Sequence, residues 1–184
     1  MIYEFMGVKP QIAKSAVISD SATIIGNVII GECCFIGPGA VLRTDAPDNQ
    51  IIVGDYSVIE DLCLVHLGGP GAICEIGKHV TVGHNAIVHG RLLDDYSNVG
   101  MGAILSIASE VGKYSVVAEG AVVKLGQKIP ERVVVGGAPA KVLRQLEDRD
   151  IEMWTMSNKY YEDLGNEYKV PGALKPVTLE ECEV

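Results

Sequence analysis

The sequence predicts an all-β solenoid: a left-handed parallel β-helix of hexapeptide repeats with a C-terminal α-helix. Three observations predict it. An aliphatic residue recurs every six positions, a small side chain usually stands four residues later, and glycine often follows the aliphatic residue directly. The anchors run Ile12, Ile18, Ile24, Ile30, Ile36, Leu42, then Val53, Ile59, Val65, then Ile76, Val82, Val88, then Val99, Leu105, Val111, Val117, Val123. The small register includes Ala16, Ala22, Cys34, Ala40, Ser57, Cys63, Ala86, Ala103, Ser115 and Ala121. The glycines are Gly31, Gly37, Gly54, Gly77, Gly83, Gly100 and Gly112.

A period of six matches neither a helical stripe at about 3.6 residues nor a half-buried strand at about 2. It matches a short strand plus a tight corner. Three such units close a triangular coil, with anchors pointing into the prism and successive coils stacked at the strand spacing of about 4.8 Å. A β-sandwich is the rival for a Val/Ile-rich chain, but its strands recur at about 8–12 residues.

The repeat is read as ending at Val123. Pro130, Gly136, Gly137 and Pro139 mark an irregular excursion. From Ala140 to about Tyr168 the pattern turns helical, Val142, Leu143 and Leu146 sharing one face and Ile151, Trp154, Tyr161 and Leu164 continuing it. The expected domains are therefore a β-helix over 1–139 and a helical extension with tail over 140–184. Pro171 ends the helix, and the tail from Gly172 is expected to fray or to bind a neighbour.

Composition supports a core of many small units. Hydrophobic residues make up 48% of the 184, yet aromatics only 5%. The formal net charge is −9, concentrated from Gln145 to Val184, where ten acidic residues face four basic ones. That balance disfavours nucleic acid and anionic membranes as partners. The five cysteines include an adjacent pair and form no CxxC, so neither a disulfide framework nor a cysteine zinc site is expected. With no leader-like N-terminus and no long apolar run, the expectation is a cytoplasmic protein.

Three of the four histidines occupy related repeat positions. His66 follows anchor Val65, His89 follows anchor Val88, and His84 lies two beyond Val82. If the stretch from Val65 to Ile76 is one hexad plus a five-residue bulge, GGPGA, then His66 and His89 stack on one face one coil apart. If it is two hexads, they do not. In the first case His84 falls on another face and meets the pair only across a subunit boundary. Three neutral imidazoles leave a metal ion its full charge and an open position for water, whose pKa falls towards about 7. Each histidine alone also has a plain reading as a hydrogen-bonded corner residue. His79 is read as solvent-facing and without a role.

Arg43-Thr-Asp45, Val58-Ile-Glu-Asp61, His66, the segment ValThrValGlyHis84AsnAlaIleValHis89Gly, Val99-Gly-Met-Gly-Ala103 and Gly137-Ala-Pro-Ala-Lys141 together resemble the γ-class carbonic anhydrase family. The region around Trp154, Lys159-Tyr-Tyr161 and Leu164 is similar to its carnitine-operon and phenylacetate-degradation branch. The resemblance implies a homotrimer with zinc, or iron or cobalt, held by His66, His84 and His89 at subunit interfaces. It implies an intersubunit Arg43–Asp45 ion pair near the metal, and Asp61 beside the metal-bound water. Glu60 stands where many members carry an amide, and would act there as a base while repelling bicarbonate. The long acidic proton-shuttle loop of some members is replaced by LGGPGAICE.

Four functions follow as expectations. The first is reversible CO₂ hydration by a metal hydroxide. The others are thioester hydrolysis of acyl-CoA, CoA-dependent acyl transfer with one histidine as general base, and a non-catalytic metal-binding trimer.

Overall fold

The computed structural model describes residues 1–182; Glu183 and Val184, the end of the expected tail, lie outside the described residues. Short strands build three parallel sheets, the faces of a triangular prism. The first face runs through Ile2–Tyr3, Thr23–Ile25, Val41–Thr44, Leu64–Leu67, Ile87–Val88, Ile104–Leu105 and Val122–Val123. The second runs from Gln11–Ile12 to Lys128–Ile129, and the third from Val17–Ile18 to Val133–Gly136. This is the left-handed parallel β-helix that the six-residue period predicts.

The anchors fill the prism. Ile24, Ile36, Leu42, Ile59, Val65, Val82, Val88, Val99, Leu105, Val111, Val117 and Val123 are all fully buried. The thiols of Cys34, Cys63 and Cys74 share this interior, and burial pushes each up to about 12. They are inert packing residues. All five cysteines are free.

The glycines after the anchors are required by space. A Cβ on Gly54 would stand 2.7 Å from the carbonyl carbon of Gly77 in the next coil, and one on Gly100 would stand 2.6 Å from the backbone nitrogen of Glu119. The left-handed dihedrals fall two residues later, on side-chain-bearing corners. Tyr56, His79, Tyr96 and Tyr114 all have φ of 54–61°. Backbone strain at these corners is offset by stacking. The Tyr56, His79, Tyr96 and Tyr114 rings form a column with successive centroids 4.8–4.9 Å apart. His79 is thus a rung of an aromatic ladder rather than a free surface residue.

Register settles the bulge. Leu42 pairs with Val65, and Val65 with Val88. The partners on these strands are 23 residues apart, five more than three hexads. Each of these two coils carries a loop after the first face, at 45–49 and at 68–72. The buried Asn49 ties them by donating from Nδ2 to the Gly69 carbonyl.

Two expectations at the C-terminal side are corrected. The repeat does not stop at Val123: Ile129 pairs beyond Val111, and Val135 beyond Val117, both buried. Residues 140–146 are not helical. Lys141–Gln145 is a strand running antiparallel to Val133–Gly136. The third sheet's open last strand offers unpaired backbone groups, and pairing satisfies them where a helix would leave them bare.

Helix α1 begins at Asp148 and ends at Tyr168. Glu147 and Asp150 form a reciprocal capping box, and Arg144 grips Asp150 with both guanidinium nitrogens, holding that carboxyl at about 2. The helix lies along the third face, as its apolar residues predict. A Cβ on Gly165 would stand 3.2 Å from Val17, and Phe35 packs against Tyr161 and Tyr168. A single turn, Leu179–Cys182, follows. No described helix is long and apolar enough to cross a membrane.

Candidate active site

The first face places Arg43, His66 and His89 in consecutive coils. Arg43 and His66 are register partners, and Val65 pairs with Val88, so His89 follows in the same row. His66 Nδ1 lies 3.1 Å from His89 Nε2, with the rings edge to face at 4.7 Å. On its other side His66 Nε2 meets Asp45 Oδ2 at 2.8 Å and an Arg43 guanidinium nitrogen at 2.9 Å. Arg43 Nε is 3.1 Å from Asp45 Oδ1. The Arg43–Asp45 pair that the resemblance places between subunits forms inside one chain.

Asp45 and Arg43 ask opposite things of one nitrogen. Asp45 accepts, so it favours the tautomer with a proton on Nε2. Arg43 only donates, so it favours a bare Nε2. In the first state His66 Nδ1 accepts from His89 Nε2–H, and His89 Nδ1 is left with a free lone pair. In the second, the protons sit the other way round. The three residues form a carboxylate–imidazole–imidazole chain with two proton arrangements. Burial, then the neighbouring His66 and Arg43, push the pKa of His89 below the ordinary 6.5. At neutral pH His89 is an uncharged imidazole, the form that serves as a base.

A groove of about 290 Å³ opens beside His89. Leu67, Gly68, Gly71, Ala72 and Ile73 line it together with Gly90, Arg91, Ile107 and Ala108 from the following coils. The loop 68–72 thus forms a wall. A Cβ on Gly68 would come within 3.8 Å of His66 Cε1 and 3.9 Å of Asp45 Oδ2.

His84 is elsewhere, at the corner leaving the third face. Its Nδ1 accepts the Asp61 backbone N–H at 3.3 Å, which puts the proton of the neutral ring on Nε2. That nitrogen lies 3.2 Å from Glu60 Oε2 and 3.3 Å from the Tyr161 hydroxyl of helix α1. Glu60 is buried and accepts the His84 backbone N–H at 2.8 Å. Burial and the Glu60 carboxylate raise the Tyr161 phenol well above its usual range. This network fastens α1 to the prism. Glu60→Ala leaves the His84 N–H without its acceptor and is expected to cost about 1–3 kcal/mol, measured as a lowered denaturation midpoint.

The expected metal centre is corrected here. Among the described residues no group of three or more His, Cys, Asp or Glu is arranged to hold a metal ion. His66 and His89 turn nitrogens towards each other, and His84 is held by Asp61, Glu60 and Tyr161 at a different edge. Within one chain these donors do not come together around the zinc, iron or cobalt ion that the resemblance implies. Glu60 and Asp61 both lie against His84, their carboxylate oxygens 3.2 and 3.8 Å from its ring nitrogens.

The sequence groups His66 with His89 and places Tyr161 in a helical pattern and in the family resemblance, but gives no sign of its contact with His84 or of the role of Asn49. The aromatic ladder was legible: Tyr56, His79, Tyr96 and Tyr114 each stand three residues after a core aliphatic, Val53, Ile76, Leu93 and Val111.

Comparison with known proteins places this geometry in context. The family described as Bacterial transferase hexapeptide (six repeats) matches residues 9–44. Gamma carbonic anhydrase 1, mitochondrial, from Arabidopsis thaliana is 38% identical over 95% of this chain, which spans 64% of that protein. The chain spans 57% of the second plant relative, Gamma carbonic anhydrase 2, mitochondrial. Carnitine operon protein CaiE of Escherichia coli K12 is 33% identical, covering 88% of this chain and 81% of CaiE. Among solved structures, the BC4754 gene product of Bacillus cereus superposes with a TM-score of 0.87 at 34% identity, over 91% of this chain and 96% of that one. A hexapeptide transferase family protein from Anaplasma phagocytophilum gives 0.82 at 32%, over 90% and 96%. The chain belongs to the hexapeptide-repeat family that includes the γ-carbonic anhydrases and CaiE.

Proposed function

We propose that this protein is an acyl-transfer enzyme acting on acyl-CoA thioesters, with His89 as general base. The observation that carries the reading is the Asp45–His66–His89 chain, which leaves a neutral imidazole at the edge of a groove. The likeness to transferases of the hexapeptide family supports it.

His89 Nδ1 takes the proton of an acceptor hydroxyl or amine while the acceptor's oxygen or nitrogen attacks the thioester carbonyl. The C–S bond breaks, and the departing CoA thiolate receives that proton from His89. His66 and Asp45 hold His89 Nε2 in place and spread the transient positive charge. With water as acceptor the same step is thioester hydrolysis. The test is release of free CoA thiol from acetyl-, butanoyl- and hexanoyl-CoA, with and without small amine or alcohol acceptors. Carbon dioxide hydration, the activity named for the plant relatives, is assayed beside it. No thiol release with any thioester overturns the reading.

The same reading has the protein work as a homotrimer. The outward row of the first face is apolar and continuous across five coils: Val41, Leu64, Ile87, Ile104 and Val122. Ile87 and Ile104 are 36% and 39% exposed in the single chain. Such a ladder is disfavoured on a free surface. Light scattering is expected to give a mass three times the 19.6 kDa chain. Ile104→Asp is expected to shift it to the single-chain mass with the β spectrum retained; a wild-type monomer would refute the assembly.

A further inference from the structure

We infer that the groove beside His89 is an acyl-chain subsite selective for an uncharged aliphatic group of about four to six carbons. This rests on the acyl-CoA reading for its biological ligand, and it names the substrate class within that reading.

Three features of the groove carry it. Its walls are mostly hydrocarbon: Leu67, Ala72, Ile73, Ile107 and Ala108 all line it. Ile73 and Ile107 are 49% and 58% exposed in the single chain, so the groove offers uncovered hydrocarbon to a ligand. The volume of about 290 Å³ holds on the order of ten groups of water size at about 30 Å³ each, enough for a carbonyl and a short chain. An acetyl group would leave most of that wall wet.

The second feature concerns charge. Arg91 is the one cation in the lining, and it is already paired: its guanidinium bonds Glu110, and Lys128 lies 3.2 Å from the same carboxylate. An acyl group ending in a carboxylate would have to displace Glu110 to gain a partner. The groove therefore rejects dicarboxylic acyl groups and accepts neutral ones.

The third feature is that one wall is fixed. The loop 68–72 is fastened by the Asn49 bond to Gly69, and Asn49 is fully buried. Gly90, also in the lining, admits no side chain readily: a Cβ there would sit 3.2 Å from both the backbone oxygen and the hydroxyl of Ser109. The width of the slot is set by packing, so chain length is read by how much of the wall is covered.

Simple amides test the subsite without CoA, and S-alkyl-CoA thioethers test it with CoA. In amide-proton NMR titrations of the whole protein, hexanamide is expected to shift the Gly90, Ile107 and Ala108 signals, butanamide to do so more weakly, and acetamide not at all. Affinity is expected to rise about fourfold per methylene from S-ethyl- to S-butyl-CoA, and to level off beyond S-hexyl-CoA. Ile107→Ala removes exposed wall without touching the core, and is expected to weaken hexanamide several-fold with the melting temperature unchanged. Ile107→Glu is expected to abolish hexanamide binding. Hexanamide shifts absent from this groove, or equal affinities for S-ethyl- and S-hexyl-CoA, would overturn the subsite even if thioesters are turned over. Hexanamide binding here without thiol release from any acyl-CoA would keep the subsite and overturn the acyl-CoA reading.

Discussion

His89→Ala is expected to lower thioester turnover by about 10²- to 10⁴-fold, the range set by loss of a positioned general base. KM should move little, because the imidazole acts on the proton in flight rather than on the bound thioester. His66→Ala and Asp45→Asn leave the base present but free its ring, so each is expected to cost less than His89→Ala. Combined with His89→Ala they should add almost nothing, since the three residues act as one chain. The pH profile gives a second readout. The His89 pKa is lowered by burial and by His66 and Arg43, so the rising limb of activity should lie below 6.5. Arg43→Gln removes one of the charges that depress it, and should move that limb upwards. Full turnover by His89→Ala would sink the assignment.

The same shift has a sign for stability. His89 binds a proton less readily when folded than when unfolded, so its contribution is present above the ordinary 6.5. That contribution is lost as pH falls through 6.5 towards the lower folded value.

Val82→Asp is expected to be the most damaging substitution of a single core residue. Val82 is fully buried, between Ile59 and Val99 in register, with further aliphatic side chains filling the prism around it. A carboxylate there has no partner and no water, and a cost of several kcal/mol is expected. In a solenoid, where each coil leans on its neighbours, that is enough to uncouple the stack at its centre. Val82→Ala, which only leaves a small void, should cost less than half as much. Chemical denaturation followed by far-ultraviolet circular dichroism measures both. A Val82→Asp chain as stable as the wild type would refute the inward placement of the anchors.

The prism was legible because its physics is local. Six-residue spacing puts each anchor inside whatever the rest of the chain does, so Ile24, Leu42, Val65 and Val88 announce the coil by themselves. The extra coil through Ile129 and Val135 was not read, because Pro130, Gly136 and Gly137 mask the period with turn residues. The strand at 141–145 was read as helix for a related reason. Its pattern is ambiguous over so short a run, and the open last strand of the third sheet, invisible in sequence, decided the outcome.

Site residues divide the same way. By itself the sequence determined that His66 follows one first-face anchor and His89 another, and that stacking follows if the segment between them carries one bulge. Only the tertiary structure decided that it does, through the pairing of Leu42, Val65 and Val88. It alone showed that Asp45 returns to His66, that His84 turns instead to Glu60 and Tyr161, and that loop 68–72 walls a groove beside His89. The reason is physical. A repeat fixes the face on which a side chain stands, but partners drawn from other coils, loops and a helix 77 residues away are chosen by how the chain closes on itself.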